Sequence, residues 1–96
     1  MFLYKYVNEF YYNQIIDNYN EDYLNTINEQ DFLKIYKLFL ENKFYFIEDI
    51  ILKYLDIFEM SYDIVLKKIN NLKEKLGNNF VYIIGNNMNY LDEILN

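Results

Sequence analysis

A chain of 96 residues with fifteen acidic side chains, nine lysines and no arginine carries a formal charge of −6. It lacks Cys, His, Pro, Ala and Trp, and Ser61 and Thr26 are its only aliphatic hydroxyls. A Ser–His–Asp or Cys–His nucleophile and a His- or Cys-liganded zinc site therefore cannot be built. Histidine acid–base chemistry near neutral pH is excluded with them. What remains for chemistry is carboxylates, lysines and tyrosines, and neither an enzyme nor a cofactor is expected.

The length suits one domain over residues 1–96, which buries roughly 60–65% of the surface exposed by its unfolded form. Without cysteine there is no disulfide framework. No basic stretch precedes an apolar run at the N-terminus, and no uncharged run reaches the roughly 20 residues of a membrane span. A soluble, cytoplasmic protein is the expectation.

Residues 2–19 read as a helix if Leu3, Val7, Phe10 and Ile15 mark its core face, or as an aromatic hairpin turning at Asn8-Glu9. Residues 18–29 place Asn18, Asn20, Asp22 and Glu29 at the spacing of a calcium loop. Tyr23 stands where such a loop needs glycine, so the stretch reads as a polar connection. Asn28 or Asp31 then caps a helix ending near Asn42, containing Phe32, Ile35, Tyr36, Leu38 and Phe39. Residues 46–58 form a further segment with Ile47, Ile50, Ile51, Tyr54, Leu55 and Phe58 on one broad face.

The clearest helix covers Tyr62 to Leu76, with Ser61 at the N-cap and Gly77 at the C-cap. Val65, Ile69, Leu72 and Leu76 make its apolar stripe, and Lys67, Lys68, Asn71 and Lys75 its polar face. Residues 80–84 are β-prone by composition. Sliding the chain by 34 residues pairs Ile35 with Ile69, Leu38 with Leu72, Phe46 with Phe80, Ile50 with Ile84 and Ile57 with Leu91. That register makes residues 80–84 helical. Extended backwards, it places Tyr12, Ile16 and Tyr23 in an earlier, incomplete unit. The expected fold is all-α, five or six short helices packed as helical hairpins, with about two solenoid-like repeats.

The second of these units, VLKKINNLKEKLGNNFVYIIGNNMNYLDEIL, resembles the helical repeats of the mitochondrial transcription termination factor family. The likeness rests on the Val65/Ile69/Leu72 stripe, the Leu76-Gly77 break, a short second helix and Leu91, and extends at most over residues 31–95. It implies stacked repeats with a basic groove for nucleic acid. The chain departs from that pattern in having no arginine, a charge of −6, barely two units and no proline near the third helix.

Residues 1–60 hold five lysines against eleven acidic residues, a net of −6, while residues 61–96 hold four of each. Such an acidic part repels nucleic acid and suits a basic protein surface. Twelve Tyr and eight Phe exceed what a core of this size hides readily. Tyr4, Tyr6, Tyr11, Tyr12, Tyr19 and Tyr23 crowd the N-terminal quarter beside Glu9, Asp17, Glu21 and Asp22. A/T-rich codon usage produces the same skew towards tyrosine and away from arginine, so abundance alone does not define a site. The expected function is a non-enzymatic protein-binding module, an acidic inhibitor or accessory protein that occupies a basic, nucleic-acid-binding surface of a partner. The expected contact residues are Tyr4, Glu9, Tyr11, Tyr12, Asp17, Tyr19, Glu21, Asp22 and Tyr23. The alternatives are a nucleic-acid-binding repeat using Lys67, Lys68, Lys73 and Lys75, and a homo-oligomeric structural subunit.

Overall fold

Asparagine opens the first three helices. In the computed structural model, which describes residues 1–96, α1 (Glu9–Asn18) follows Asn8, α2 (Glu21–Leu24) follows Asn20, and α3 (Glu29–Glu41) follows Asn28. Each asparagine side chain accepts a hydrogen bond from a first-turn backbone N–H: that of Tyr11, Asp22 or Asp31. These bonds satisfy donors that the helix leaves unpaired, and acidic residues in the same turns suit the helix dipole. The oxygen-rich run at residues 18–29 is thus spent on helix starts. No three carboxylates gather closely enough to hold a metal ion.

Four more α-helices follow: α4 (Ile47–Lys53), α5 (Tyr62–Leu76), α6 (Phe80–Asn86) and α7 (Asp92–Leu95). Three 3-10 turns, Phe2–Lys5, Leu55–Glu59 and Met88–Leu91, complete an all-α architecture without strands. There are more elements than the five or six expected, because two long segments are broken. Residues 2–19 split into a 3-10 turn and α1, and no hairpin forms. Residues 46–58 break at Tyr54 (φ −133°, ψ 42°). In a continuous helix the Leu52 carbonyl would accept from the Asp56 N–H. Here it accepts from the Tyr19 hydroxyl, at 2.9 Å.

All 24 buried residues are apolar. The most extensive packing sets α3 against the turn Leu55–Glu59. There Phe58 stacks on Phe32 with ring centroids 4.8 Å apart, and lies 5.5 Å from Phe39. Phe44 joins this cluster to the C-terminal half, meeting Phe39 at 5.0 Å and Phe80 at 5.8 Å. In α5, Val65, Ile69 and Leu72 are buried as their spacing requires, although Ser61 makes no side-chain cap. Leu3, Val7 and Ile15 are also core residues, but Phe10 is 64% exposed. Five residues separate Phe10 from Ile15 on α1, which turns the phenyl ring about 140° away from the buried stripe.

The ends of α3 and α5 share a device. Lys43 has φ 68° and Gly77 has φ 83°. After α3, the Phe44 N–H reaches the Phe39 carbonyl (3.1 Å) and the Lys43 N–H reaches the Leu40 carbonyl (3.0 Å). This is a Schellman closure, with the Phe39–Phe44 ring contact as its apolar clasp. A lysine there bears a left-handed strain that glycine avoids, so Lys43→Gly should stabilise by about 0.5–1 kcal/mol. Gly77→Ala should destabilise by about 1–3 kcal/mol, because φ 83° with ψ −167° is nearly closed to other residues. Urea unfolding of the two variants should move the midpoint in opposite directions.

The order long helix, short helix, 3-10 turn occurs twice. N-caps Asn28 and Ser61 stand 33 residues apart, as do Phe46 and Asn79, and the breaks at Tyr54 and Asn87. The 34-residue pairing of side chains is therefore one residue out of step with the short helices. It coincides with the backbone only at the two positive-φ residues, Lys43 and Gly77. Residues 80–84 are helical, within α6.

Candidate functional site

The N-terminal tyrosines divide into two sets, those bound to the rest of the fold and those left at the surface. Tyr11 in α1 donates from its hydroxyl to Asp49 of α4 at 2.8 Å. Tyr19 donates to the Leu52 carbonyl. Tyr23 in α2 lies 2.5 Å from Glu59 and 3.0 Å from Asp56, with one proton to share between two carboxylates. Tyr6 donates to Glu29 at 2.9 Å, where Lys5 also makes an ion pair at 3.2 Å. The Asn8 backbone N–H adds a bond to Glu48, at 2.7 Å. These contacts fasten α1, α2 and the first turn to α3, α4 and the turn Leu55–Glu59.

The phenols register this setting. Burial, then hydrogen bonds to Glu59 and Asp56, pushes the Tyr23 hydroxyl well above its ordinary range. Tyr11 is raised first by its bond to Asp49 and then by burial. Burial leads for Tyr6, aided by Glu29, and for Tyr19, beside the charge of Asp56. Conversely, the Tyr6 hydroxyl and Lys5 hold the Glu29 carboxyl below the usual value. Of the expected contact residues, Tyr11, Tyr19 and Tyr23 therefore have their hydroxyls engaged within the fold. Their acceptors Asp49, Asp56 and Glu59 lie more than thirty positions away in sequence, and no local pattern marks them.

Of the other expected residues, Tyr12 is half-buried against the core and the rest are exposed. Tyr4 is 63% exposed and meets Tyr12 edge to face, with ring centroids 6.5 Å apart. Glu9, Asp17, Glu21 and Asp22 are exposed, and none makes a side-chain hydrogen bond or ion pair; the same holds for Asp31 and Glu41. Tyr23 draws α2, with Glu21 and Asp22 in its first turn, against the turn that carries Asp56 and Glu59. Between α1 and α2 runs an open groove of about 360 Å³, lined by Met1, Tyr12, Asn13, Ile16, Glu21, Leu24 and Asn25. Ile16, missing from the expected contacts, is 41% exposed there. Its spacing of four from Tyr12, one helical turn, is the sequence signal that points to it.

A second depression of about 540 Å³ lies on the lysine face, lined by Ile64, Lys67, Lys68, Asn71, Leu72 and Glu93. Two lysines of this face are held internally. Lys75 pairs with Glu93 at 3.2 Å and sits 5.8 Å above the Tyr90 ring, while Lys68 donates to the Glu93 carbonyl at 3.3 Å. The two ion pairs, Lys5–Glu29 and Lys75–Glu93, leave most N-terminal carboxylates without a cation.

Site and fold together describe an all-α protein with exposed carboxylates outside any ion pair on α1, α2 and α3, one of which, Glu21, lines an open groove. Comparison with family models, curated proteins and solved structures finds no match. No helix is long and apolar enough to cross a membrane.

Proposed function

We propose that this chain is a non-enzymatic, cytoplasmic protein-binding module whose acidic N-terminal face takes a basic surface of a partner protein. The observation that carries the reading is the set Glu9, Asp17, Glu21, Asp22, Asp31 and Glu41, all exposed and all without a cation. Carboxylates left unpaired on one part of a protein steer and orient a positively charged partner. Tyr4, exposed, and Tyr12, half-buried and in edge contact with it, add aromatic contact area at low entropic cost. A nucleic-acid-binding surface makes a natural target for such a face, and an inhibitor or accessory role follows from occupying it.

A second reading is a nucleic-acid-binding helical repeat, using Lys67, Lys68, Lys73 and Lys75. The recurrence of long helix, short helix and turn favours it, together with the resemblance to transcription termination factor repeats. Against it stands the engagement of Lys68 and Lys75 by Glu93.

Titration of short DNA and RNA, single- and double-stranded, at low salt separates the two. No binding is expected of an acidic module, since nucleic-acid affinity rests largely on cation–phosphate contacts. Tight binding that weakens steeply with added salt would overturn the first reading in favour of the second.

A further inference from the structure

The solvent side of α1 is acidic, with one aromatic ring standing out of it. Phe10, Asn13 and Asp17 are spaced three and four apart and Glu9 lies one turn before Asn13, so they share one side of the helix. All are exposed, Phe10 by 64%, and α1 contains no lysine. Neither Glu9 nor Asp17 belongs to an ion pair.

The complement lies on α5. The depression of about 540 Å³ there has Ile64, itself 48% exposed, and Leu72 as its apolar lining. Lys67, Lys68, Asn71 and Glu93 are its polar lining. The one carboxylate among them is already neutralised, since both oxygens of Glu93 lie 3.2 Å from the Lys75 ammonium. Lys68 donates to a backbone carbonyl and not to a carboxylate, and Lys67 makes no ion pair. The depression thus carries two cations outside any ion pair, in a chain whose net charge is −6.

We infer that the α5 depression takes the α1 face of a second copy of this chain, with Phe10 against Ile64 and Leu72, and Glu9 and Asp17 meeting Lys67 and Lys68. The two faces are opposite in charge, and one offers a projecting ring where the other offers an apolar hollow. They are different patches, so the contact is heterologous: each copy gives its α1 face to one neighbour and its depression to another. Copies of charge −6 repel at long range, but at physiological salt that repulsion fades beyond about 8 Å, while charges in contact are screened far less. The inference stands apart from the acidic-face reading. Glu9 and Asp17 serve both, so a basic partner competes with the second copy.

Analytical ultracentrifugation of the full chain at physiological salt reads the contact directly. The series runs up to about 1 mM, because a small contact between like-charged copies is weak. The weight-average mass should rise with concentration. Phe10→Ala/Asp17→Lys removes the α1 face, and Ile64→Asp/Lys67→Glu removes the depression. All these positions are exposed, and unchanged circular dichroism reports that the fold is intact. Each variant alone should associate at least about tenfold more weakly than the wild type. Mixed in equal amounts, the two variants should form a dimer and nothing larger, because one intact face then meets one intact depression. A wild-type chain that stays monomeric throughout, association that neither variant weakens, or a mixture that does not recover the dimer would overturn the proposal.

Discussion

Replacement of Phe58 by alanine should remove about 3–5 kcal/mol of stability, the range for deleting a fully enclosed aromatic ring. Phe58 has no exposed surface, stacks on Phe32 and leans on Phe39, and so closes the contact between α3 and the turn Leu55–Glu59. Three of the turn's five residues, Leu55, Ile57 and Phe58, are buried, so side-chain packing anchors it. A chain of this length has in total about 5–14 kcal/mol. The variant should lose a large share of this, with the melting temperature falling by about 15 °C or more. Phe10→Ala, by contrast, removes a ring that is mostly in water and should change stability by less than about 0.5 kcal/mol. Urea denaturation of the two variants checks both values. A loss below about 1 kcal/mol for Phe58→Ala would mean that the three-phenylalanine cluster is not the centre of the core.

Alkaline pH should unfold the protein cooperatively. Tyr6, Tyr11, Tyr19, Tyr23 and Tyr54 all have hydroxyls raised above the ordinary value near 10. A phenol whose folded value is raised holds its proton more tightly in the native state. Its stabilisation is fully present below about pH 10, and is lost as pH rises from there through the folded value. Each such group contributes at most about 1.4 kcal/mol per pH unit in that window, and less where solvent screens it. The five losses share one sign, so each adds to the others as pH rises. Phenolate absorbance should therefore rise in a step that coincides with loss of helical circular dichroism. Tyr23→Phe should cost about 1 kcal/mol at neutral pH through its lost hydrogen bonds, and should move the alkaline transition upwards. Gradual ionisation with helicity retained above about pH 12 would contradict the inward placement of these hydroxyls. On the acid side Glu29 has the opposite sign: the stability it provides is present above the ordinary carboxylate range and is lost as pH falls.

Much of the architecture was legible in side-chain periodicity. The α5 stripe of Val65, Ile69 and Leu72 has the spacing of one helix face, and the helix spans Tyr62 to Leu76 as its pattern and flanking glycine indicate. The cap at Asn28 and the break at Lys43 were likewise readable, since both depend on neighbouring residues. The stop at Tyr54 was not. Nothing local ends a helix there, and the carbonyl freed by the break is taken by the Tyr19 hydroxyl, more than thirty residues earlier. The same limit governed the tyrosines. Composition placed them beside acidic residues in the sequence, but the fold turns Tyr11, Tyr19 and Tyr23 towards Asp49, Leu52, Asp56 and Glu59. Charge patterning was more robust, because Glu9, Asp17, Glu21 and Asp22 need only remain solvated to stay at the surface.

The acidic face is tested most directly by affinity capture from the native cell, with the wild-type chain and an Asp17→Lys/Asp22→Lys variant compared side by side. Both substitutions lie at exposed positions and leave the tyrosine bonds intact. A basic protein retained by the wild type, released by moderate salt and bound at least tenfold more weakly by the variant is the expected result. Equal capture of the same partner by both chains would contradict it.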